Sequence, residues 1–129
     1  DVLEMPGVVA IPHLGASSAE AEDNCAVMAA VQLDDYLRYG NIKNSVNFPN
    51  VSMPVVCGHK RICVLHANVP AVISGITTLL SESGANIENM INKSKGDNAY
   101  TLVDFTGDLA DAVVEKINNI AGVVRVRVI

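Results

Sequence analysis

The sequence is poor in aromatic and in basic side chains. It has no tryptophan, two phenylalanines, and nine lysine and arginine residues against fourteen aspartate and glutamate residues, for a formal net charge of −5. Proteins that bind nucleic acid present clustered positive charge, and those that bind single strands also present rings on which bases stack. The composition therefore argues against a nucleic acid as partner.

Long apolar runs and a secretory leader are also missing from the sequence, which argues against a membrane partner. The three cysteines, Cys25, Cys57 and Cys63, are an odd number in hydrophobic surroundings, which favours reduced thiols over a disulfide framework. We therefore expect a cytoplasmic protein. Because the chain starts at Asp1, with no initiator methionine and no polar leader, we expect it to be a piece of a longer protein.

Half of the 129 residues are hydrophobic, enough to build a packed core. Near the start, the apolar residues 8–11 predict a short strand. Ser17 and Glu20 form a capping box, which predicts a helix over 18–39 that Gly40 ends. The apolar face of this helix is broad and needs a partner that the first ten residues cannot supply.

Residues 46–59 are rich in asparagine, proline and serine. Pro49 and Pro54 prevent a helix there, so this stretch is predicted to be an extended connector. Gly58, near its end, offers a hinge.

From residue 60 onward, strand-like and helix-like patterns alternate regularly. They predict six elements, which are a strand over 61–66, a helix opened by Pro70 and stopped by Gly84, a strand over 86–94, a strand over 99–106, a helix capped by Asp108 and closed by Gly122, and a strand carrying Val124, Val126 and Val128. This order predicts an α+β, ferredoxin-like βαββαβ fold with two helices on one face of a four-stranded antiparallel sheet. We expect the uncovered face, which carries Tyr100 and Leu102, or else an edge strand, to meet a second copy.

One candidate binding site is the turn from the first strand of this domain to its first helix. Free amides at a helix N-terminus attract a carboxylate, and Asn68 can pair with an ammonium or hydroxyl group. Asn86, at the start of the next strand, is expected to return to the same end of the sheet. Such a set suits a small amino acid. The alternative is that Asn68 only satisfies its own loop.

A second candidate is a metal site formed by Cys57, His59, Cys63 and His66. Cys63 and His66 are three residues apart on a predicted strand, so their side chains should lie on opposite faces of the sheet. We therefore expect no metal, and cysteines packed in a core.

The stretch RICVLHANVPAVI and the later LSESGANIENM resemble the ACT domains, which are small regulatory modules that bind amino acids. The segments SVNFPNVSMP and IPHLGASSAEAE resemble the C-terminal part of the D-3-phosphoglycerate dehydrogenases, which belong to the D-2-hydroxyacid dehydrogenase family and act in serine biosynthesis. The resemblance extends along nearly the whole chain. It implies a remnant of a nucleotide-binding catalytic domain over 1–45, a connector over 46–59 and an ACT regulatory domain over 60–129.

The resemblance also implies roles in catalysis for residues near the start. In that family the histidine of the PHLGAS-type motif is the acid–base group of hydride transfer, which would be His13, and Gly15 and Ala16 would lie near the nicotinamide of NAD. The family's glutamate, its arginine and its glycine-rich dinucleotide loop are not in this sequence. We therefore expect the parent protein to use NAD, and this chain alone neither to bind NAD nor to catalyse the reaction.

For the ACT domain, the resemblance implies L-serine, or another small amino acid, bound between neighbouring subunits as a feedback effector. The matching contact residues are His66, Asn68 and Asn86. Ala71 stands where a glycine is common after the proline, and Val69 replaces a more polar residue. The alternative function is a structural module that joins subunits and binds no effector.

Overall fold

The computed structural model describes residues 1–54 and 58–129. It forms two compact units, Asp1–Leu33 and Asp34–Ile129, with the boundary inside helix α1 (Ala19–Tyr39). Among the described residues, no helix is both long and apolar enough to cross a membrane.

The first unit has little regular structure before α1. A 3-10 helix spans Val2–Glu4, and Asp1 caps it by accepting a hydrogen bond from the amide of Leu3. Residues 8–11 form no strand in the structure, so the strand prediction is wrong. An apolar run becomes a strand only when another strand completes its hydrogen bonds, and no strand lies within the first unit.

Helix α1 begins at Ala19, one residue later than predicted. The reason is a different cap, since the hydroxyl of Ser18 accepts a hydrogen bond from the amide of Ala21 at 3.2 Å. At the other end, α1 stops at Tyr39 and Gly40 has φ +73°, the left-handed conformation that follows many helices. The predicted end of the helix is confirmed.

The second unit contains the predicted βαββαβ order. Its elements are β1 (Lys60–Ala67), α2 (Val72–Glu82), β2 (Asn86–Lys95), β3 (Asn98–Thr106), α3 (Asp111–Asn118) and β4 (Val123–Val128). The strands lie in the order β2-β3-β1-β4, and every neighbouring pair is antiparallel. The ferredoxin-like α+β fold is therefore confirmed.

Helix α3 starts later than the sequence predicts. Asp108 does not cap it, because its carboxylate accepts a hydrogen bond from the ammonium of Lys60 at 2.8 Å. The helix begins at Asp111, and Ala110 at its cap position provides no side-chain hydrogen bond. A contact between residues 48 positions apart has thus displaced a local signal.

The larger apolar core lies between the helices and one face of the sheet. Its fully buried members come from β1, α2, β3 and α3 and are Ile62, Val64, Val72, Ile76, Leu80, Val103, Phe105 and Ile117. Because apolar area removed from water is the main favourable term in folding, this layer is the principal source of stability of the second unit.

The other face of the sheet is covered by the chain itself. Ile42 and Val51 exchange two backbone hydrogen bonds, of 2.8 and 2.9 Å, and so close a loop over this face. The cluster beneath it contains Ile42, Val51, Met53, Cys63, Tyr100 and Leu102, all buried. The prediction that this face meets a second copy is wrong, since residues 42–53 fill it. The two edge strands of the sheet, β2 and β4, stay available for pairing with a second copy.

A buried ion pair fastens this loop and the end of α1 to the sheet. Arg61 on β1 and Asp104 on β3 are 6% and 2% exposed, and Arg61 Nη2 donates to Asp104 Oδ2 at 2.9 Å. The same guanidinium donates to the backbone oxygens of Tyr39, Met53 and Pro54. Five hydrogen bonds in all offset the cost of burying this charge.

Candidate functional site

The turn between β1 and α2 has an unusual backbone. Ala71 precedes α2 with φ +71°, a left-handed conformation that costs a non-glycine residue roughly 1–2 kcal/mol. No side chain of the described residues caps the helix at this position. The first-turn amides of α2 are thus without a side-chain partner, as a site for a carboxylate requires. Glycine at this position would adopt the same positive φ without that cost.

Asn68 is held against the turn that joins β2 to β3. Its backbone amide donates to the carbonyl of Asp97 at 2.8 Å, and its Nδ2 donates to the carbonyl of Gly96 at 3.3 Å. The side chain therefore fastens two loops at the same end of the sheet, beside the start of α2. The contact with Gly96 shows that Asn68 serves its neighbouring loops in part, and the ligand role stays a prediction.

His66 is buried, with 2% of its surface exposed. Its Nδ1 lies 2.7 Å from the carbonyl of Ala67, and its Nε2 lies 2.9 Å from the hydroxyl of Thr101. Both ring nitrogens are thus engaged within the domain. In this arrangement the ring holds the corner in place from inside the sheet.

Asn86 lies far from Asn68. It pairs with Thr106 at the start of β2, whereas Asn68 follows the end of β1. Because β1 and β2 are both antiparallel to β3, they run parallel to each other, and these two positions fall at opposite ends of the sheet. The length of β2 separates them by roughly 30 Å. The prediction that Asn86 returns to the same end is wrong.

At its own end of the sheet, Asn86 donates from Nδ2 to Glu88 Oε1 at 2.7 Å. Glu88 also accepts a hydrogen bond from the hydroxyl of Thr106 at 3.2 Å. The start of β2 therefore carries an exposed polar group of amide and carboxylate, and its end carries Lys93 and Lys95.

The geometry is unfavourable for the metal alternative. Cys63 packs with Tyr100 and Leu102 on the loop-covered face, whereas His66 contacts Thr101 on the helix-covered face. Burial raises the pKa of the Cys63 thiol, which disfavours the thiolate that a metal binds. Cys57 lies outside the described residues. Within 1–54 and 58–129, no three histidine, cysteine or acidic side chains come together as metal ligands do.

The residues implied in hydride transfer lie in the first unit. His13 is exposed in the loop before α1, and Gly15 and Ala16 form a turn in which the amide of Ser17 donates to the carbonyl of Leu14 at 3.0 Å. The roles of all three stay predictions.

The structure adds two side chains, Thr101 and Asn92, that the sequence analysis did not single out. Thr101 is fully buried between His66 and Asn92, and its hydroxyl lies 2.9 Å from each of them. The available signal was a hydroxyl on the strand face otherwise formed by Ala99, Val103 and Phe105.

Comparison with known proteins places this geometry in context. No family model matches the chain. The D-3-phosphoglycerate dehydrogenase of Haemophilus influenzae is 32% identical over 126 residues, which cover 98% of this chain and 31% of that protein. That of Escherichia coli K12 is 30% identical over 128 residues, with the same coverage. D-3-phosphoglycerate dehydrogenase 2 of Saccharomyces cerevisiae is 30% identical over 137 residues and is covered to 29%.

Solved structures resemble part of the chain at low sequence identity. The ACT domain from GTP pyrophosphokinase of Chlorobium tepidum aligns with 55% of this chain and 96% of that chain, at 16% identity and a TM-score of 0.48. The regulatory subunit of aspartate kinase from Thermus thermophilus aligns with 57% of this chain and 52% of that chain, at 15% identity and a TM-score of 0.47.

By its strand order and its two helices, the second unit is a ferredoxin-like α+β domain. The chain as a whole is a homologue of part of the D-3-phosphoglycerate dehydrogenases, as its resemblance to that family implied. It spans about a third of the length of the relatives that it matches.

Proposed function

We propose that the chain is the regulatory C-terminal segment of an NAD-dependent D-3-phosphoglycerate dehydrogenase. In this proposal it binds L-serine as an allosteric effector at an interface between two ACT domains. The names of the relatives support the activity proposed for the parent protein. The observation that supports a site shared between two copies is the separation of Asn68 from Asn86 within one copy.

The separation implies a composite site. Two side chains roughly 30 Å apart cannot both touch one small amino acid. A single ligand contacts both only when Asn68 belongs to one copy and Asn86 to another. If these two residues act together, the domain must therefore associate.

Strand β2 offers the edge for such an association. It is an outer strand of the sheet, and antiparallel pairing with β2 of a second copy would place the start of one strand beside the end of the other. Asn68 is hydrogen-bonded to the turn that follows β2, so Asn86 of the second copy comes to the same corner. Pairing through β4 would not bring them together.

The charges along β2 favour this pairing. Glu88 lies near the start of the strand, and Lys93 and Lys95 lie near its end. Antiparallel pairing of two copies brings each acidic start beside a basic end, and opposite charges across strands stabilise a sheet.

The corner has the chemistry that an amino acid requires. The first-turn amides of α2 suit the carboxylate, and the carboxamide oxygen of an asparagine suits the ammonium group. In this proposal, binding there would act on the enzyme through the connector over 46–59 and its hinge at Gly58. Such couplings between sites are typically about 1–3 kcal/mol.

The composite site has a direct test by complementation. In isothermal titration with L-serine, Asn68→Ala and Asn86→Ala should each abolish the heat of binding. An equimolar mixture of the two variants, after exchange of subunits, should recover binding, because each mixed dimer keeps one corner with both asparagines. Asn119→Ala, on the exposed end of α3, is the matched control and should bind as the unsubstituted chain does. A mixture that stays silent, with exchange verified by native mass spectrometry, would refute the composite site.

The second candidate function is a structural oligomerisation module without an effector. The exposed edge strand β2 supports it as well as it supports the composite site. A panel of amino acids in thermal-shift measurements, together with light scattering, separates the two functions. A dimer whose Tm no amino acid raises would favour the structural module.

For the parent enzyme, we propose that His13 takes the proton of the substrate hydroxyl as hydride leaves for the nicotinamide, with Gly15 and Ala16 beside that ring. The support is the resemblance of the loop sequence and the exposure of His13 on it. In the whole dehydrogenase, replacement of His13 by Gln should lower kcat by about 10²–10⁴-fold, the usual contribution of general acid–base catalysis. A kcat that falls less than tenfold would remove His13 from this role.

A further inference from the structure

The carbonyl groups at the end of α1 accept hydrogen bonds from three strands of the sheet. The donors are Arg61 on β1, Tyr100 on β3 and Arg127 on β4, at 2.7, 2.7 and 2.8 Å. The last turn of a helix leaves its carbonyls without partners inside the helix, so these donors fix the end of α1 to the sheet. Because a carbonyl only accepts, the direction of each bond is settled.

Arg127 differs from the other two donors because it is half-buried and lies on an edge strand. Arg61 and Tyr100 are buried in the packing of the sheet. The guanidinium of Arg127 also stacks over the ring of Tyr36, 4.9 Å from its centroid. Its positive charge lies at the negative end of the helix dipole, which strengthens the attachment. Arg127 can therefore be replaced with less damage to the core than the other two.

The other end of β4 packs against the corner that the proposed function assigns to the effector. Gly122, the residue before β4, accepts a hydrogen bond at its carbonyl from the amide of Ala67 at 2.7 Å. A Cβ on Gly122 would lie 3.0 Å from Val69 Cγ2 and 3.4 Å from Val72 Cγ2, so this backbone fits closely against the turn. Val69 and Val72 lie on either side of the left-handed Ala71. A displacement of the turn on binding would therefore displace the start of β4.

Strand β4 has a bend between these two ends. Residues 125–128 pair regularly with β1, but nearer the corner the register shifts and Val124 is an extra residue that forms a β-bulge. A bulge bends its strand and changes the direction of nearby side chains. A change of this bend would therefore move Arg127, which lies about 10 Å further along the strand.

Helix α1 is the element that responds to such a movement. None of its residues is buried, and helices obtain most of their stability from packing, so its order depends on the attached last turn. The helix continues without a break from Ala19 to Tyr39, and the loop that carries His13 precedes it. A change at the attachment would therefore alter the helix that follows the loop to which the proposed function gives acid–base chemistry.

We infer that β4 couples the amino-acid corner to α1, and that Arg127 is the positioning residue through which binding of the effector acts on that helix. This inference rests on the proposed function and concerns its regulation. It adds a route inside the domain to the one through the connector over 46–59. By linkage, a change in α1 alters the affinity of the corner by the same factor.

Inhibition of the parent dehydrogenase by L-serine tests the inference. Arg127→Gln should leave kcat without serine and the affinity for serine unaltered, since Arg127 belongs to neither site. The ratio of activities without and with saturating serine should fall by about two- to thirtyfold, the usual range for substitutions within a coupling network. Arg127→Lys, which keeps the charge at the helix end, should lower the ratio less. Arg125→Gln removes the same charge from the same face of β4 and should leave the ratio unaltered.

Hydrogen exchange followed by mass spectrometry provides a readout that does not depend on activity. In the unsubstituted enzyme, serine should slow the exchange of the amides over 34–40, and Arg127→Gln should remove this effect. Without serine, Arg127→Gln should speed exchange there, because the amide of Gly40 donates to the Tyr36 carbonyl in the turn that Arg127 holds. Identical exchange in the two proteins would contradict the attachment.

The outcomes separate the two proposals. If serine inhibits the unsubstituted enzyme and Arg127→Gln equally, the inference fails while the proposed function stands. If neither serine nor any other amino acid of the panel inhibits the unsubstituted enzyme, the proposed function fails and the inference fails with it. Loss of coupling in Arg125→Gln as well would contradict the inference, since the effect would then belong to the charge of the strand. Loss of serine binding in Arg127→Gln would also contradict it, because Arg127 would then act on the site itself.

Discussion

The two units of the chain use apolar side chains in opposite ways. No residue of Asp1–Leu33 is buried, and Val9 and Ile11 are 84% and 75% exposed. In Asp34–Ile129, side chains of the same kind, such as Ile62 and Ile76, are fully buried. The comparison teaches that hydrophobic composition does not make a core. A core forms only where the topology brings apolar faces together.

Helix α1 passes through both units and shows the same contrast along one element. In the first unit it depends on local signals, such as the Ser18 cap, while Val27 and Met28 stay more than half exposed. In the second unit its last turn is held by Arg127, which donates to the Leu37 carbonyl at 2.8 Å and stacks over the ring of Tyr36. Helices obtain most of their stability from packing, so the first part should be the less stable.

Of the changes that compare the two units, breaking the buried ion pair of the second unit should lower the free energy of unfolding most. Asp104→Asn leaves the guanidinium of Arg61 buried without its counter-charge, so we expect a loss of about 3–5 kcal/mol in the free energy of unfolding in urea. Asp108→Asn, which breaks the exposed pair with Lys60, is the control and should have a much smaller effect. Similar losses in both variants would mean that the burial of the Arg61 pair has no energetic consequence.

A pair of truncations compares the two units directly. Ile76→Ala, in the helix-covered core, should lower the free energy of unfolding by about 2–5 kcal/mol, because it leaves a cavity. Val31→Ala, at a position 63% exposed in α1, should change it by less than about 0.5 kcal/mol. Both are measured by urea unfolding of the 129-residue chain. A large loss in Val31→Ala would show that α1 is packed in solution against a surface of this chain or of a second copy.

Substitution of Gly40, which follows α1, should destabilise the domain less, and Gly84 in the same domain provides a matched control. A Cβ at Gly40 would lie 2.5 Å from Cys63 Sγ, whereas a Cβ at Gly84 would meet nothing within 4 Å, and both glycines have positive φ. Gly40→Ala should therefore destabilise the domain by about 1–3 kcal/mol more than Gly84→Ala, which has the backbone strain alone. Equal destabilisation would indicate that the loop over the sheet yields easily at this point.

The smallest predicted effect is a gain in stability. Ala71→Gly relieves a left-handed backbone at the start of α2, so the free energy of unfolding should rise by about 0.5–1 kcal/mol after the entropy cost of glycine is subtracted. The measurement is again urea unfolding, with Ala110→Gly as control, because Ala110 has φ −71° and no such strain. Destabilisation by Ala71→Gly would show that the alanine side chain contributes packing that outweighs its strain.

How much of the structure the sequence predicted depended on whether the interactions involved are local or long-range. Gly40 and Gly84 marked the ends of their helices correctly, because a left-handed residue after a helix is a local requirement. The start of α3 was missed, because the carboxylate of Asp108 is engaged by Lys60 from another element. Local signals fail where a distant partner competes for the same group.

The candidate site shows the same limit. The turn at Ala71 and the contacts of Asn68 lie where the sequence placed the corner. The position of Asn86 depends on β1 and β2 running parallel, which is a property of the whole sheet. The partnership of His66, Thr101 and Asn92 joins three strands and carries only a weak sequence signal, a hydroxyl on an apolar strand face.

By itself, the sequence determined the order of strands and helices that is typical of a ferredoxin-like domain, because periodicity and turn residues act over a few positions. Only the tertiary structure decided that residues 42–53 fill the second face of the sheet and that Arg61 is buried against Asp104. Only the tertiary structure, likewise, set Asn68 and Asn86 at opposite ends. These outcomes depend on which surfaces from distant parts of the chain pack together. No single stretch of sequence determines the free energy of that packing.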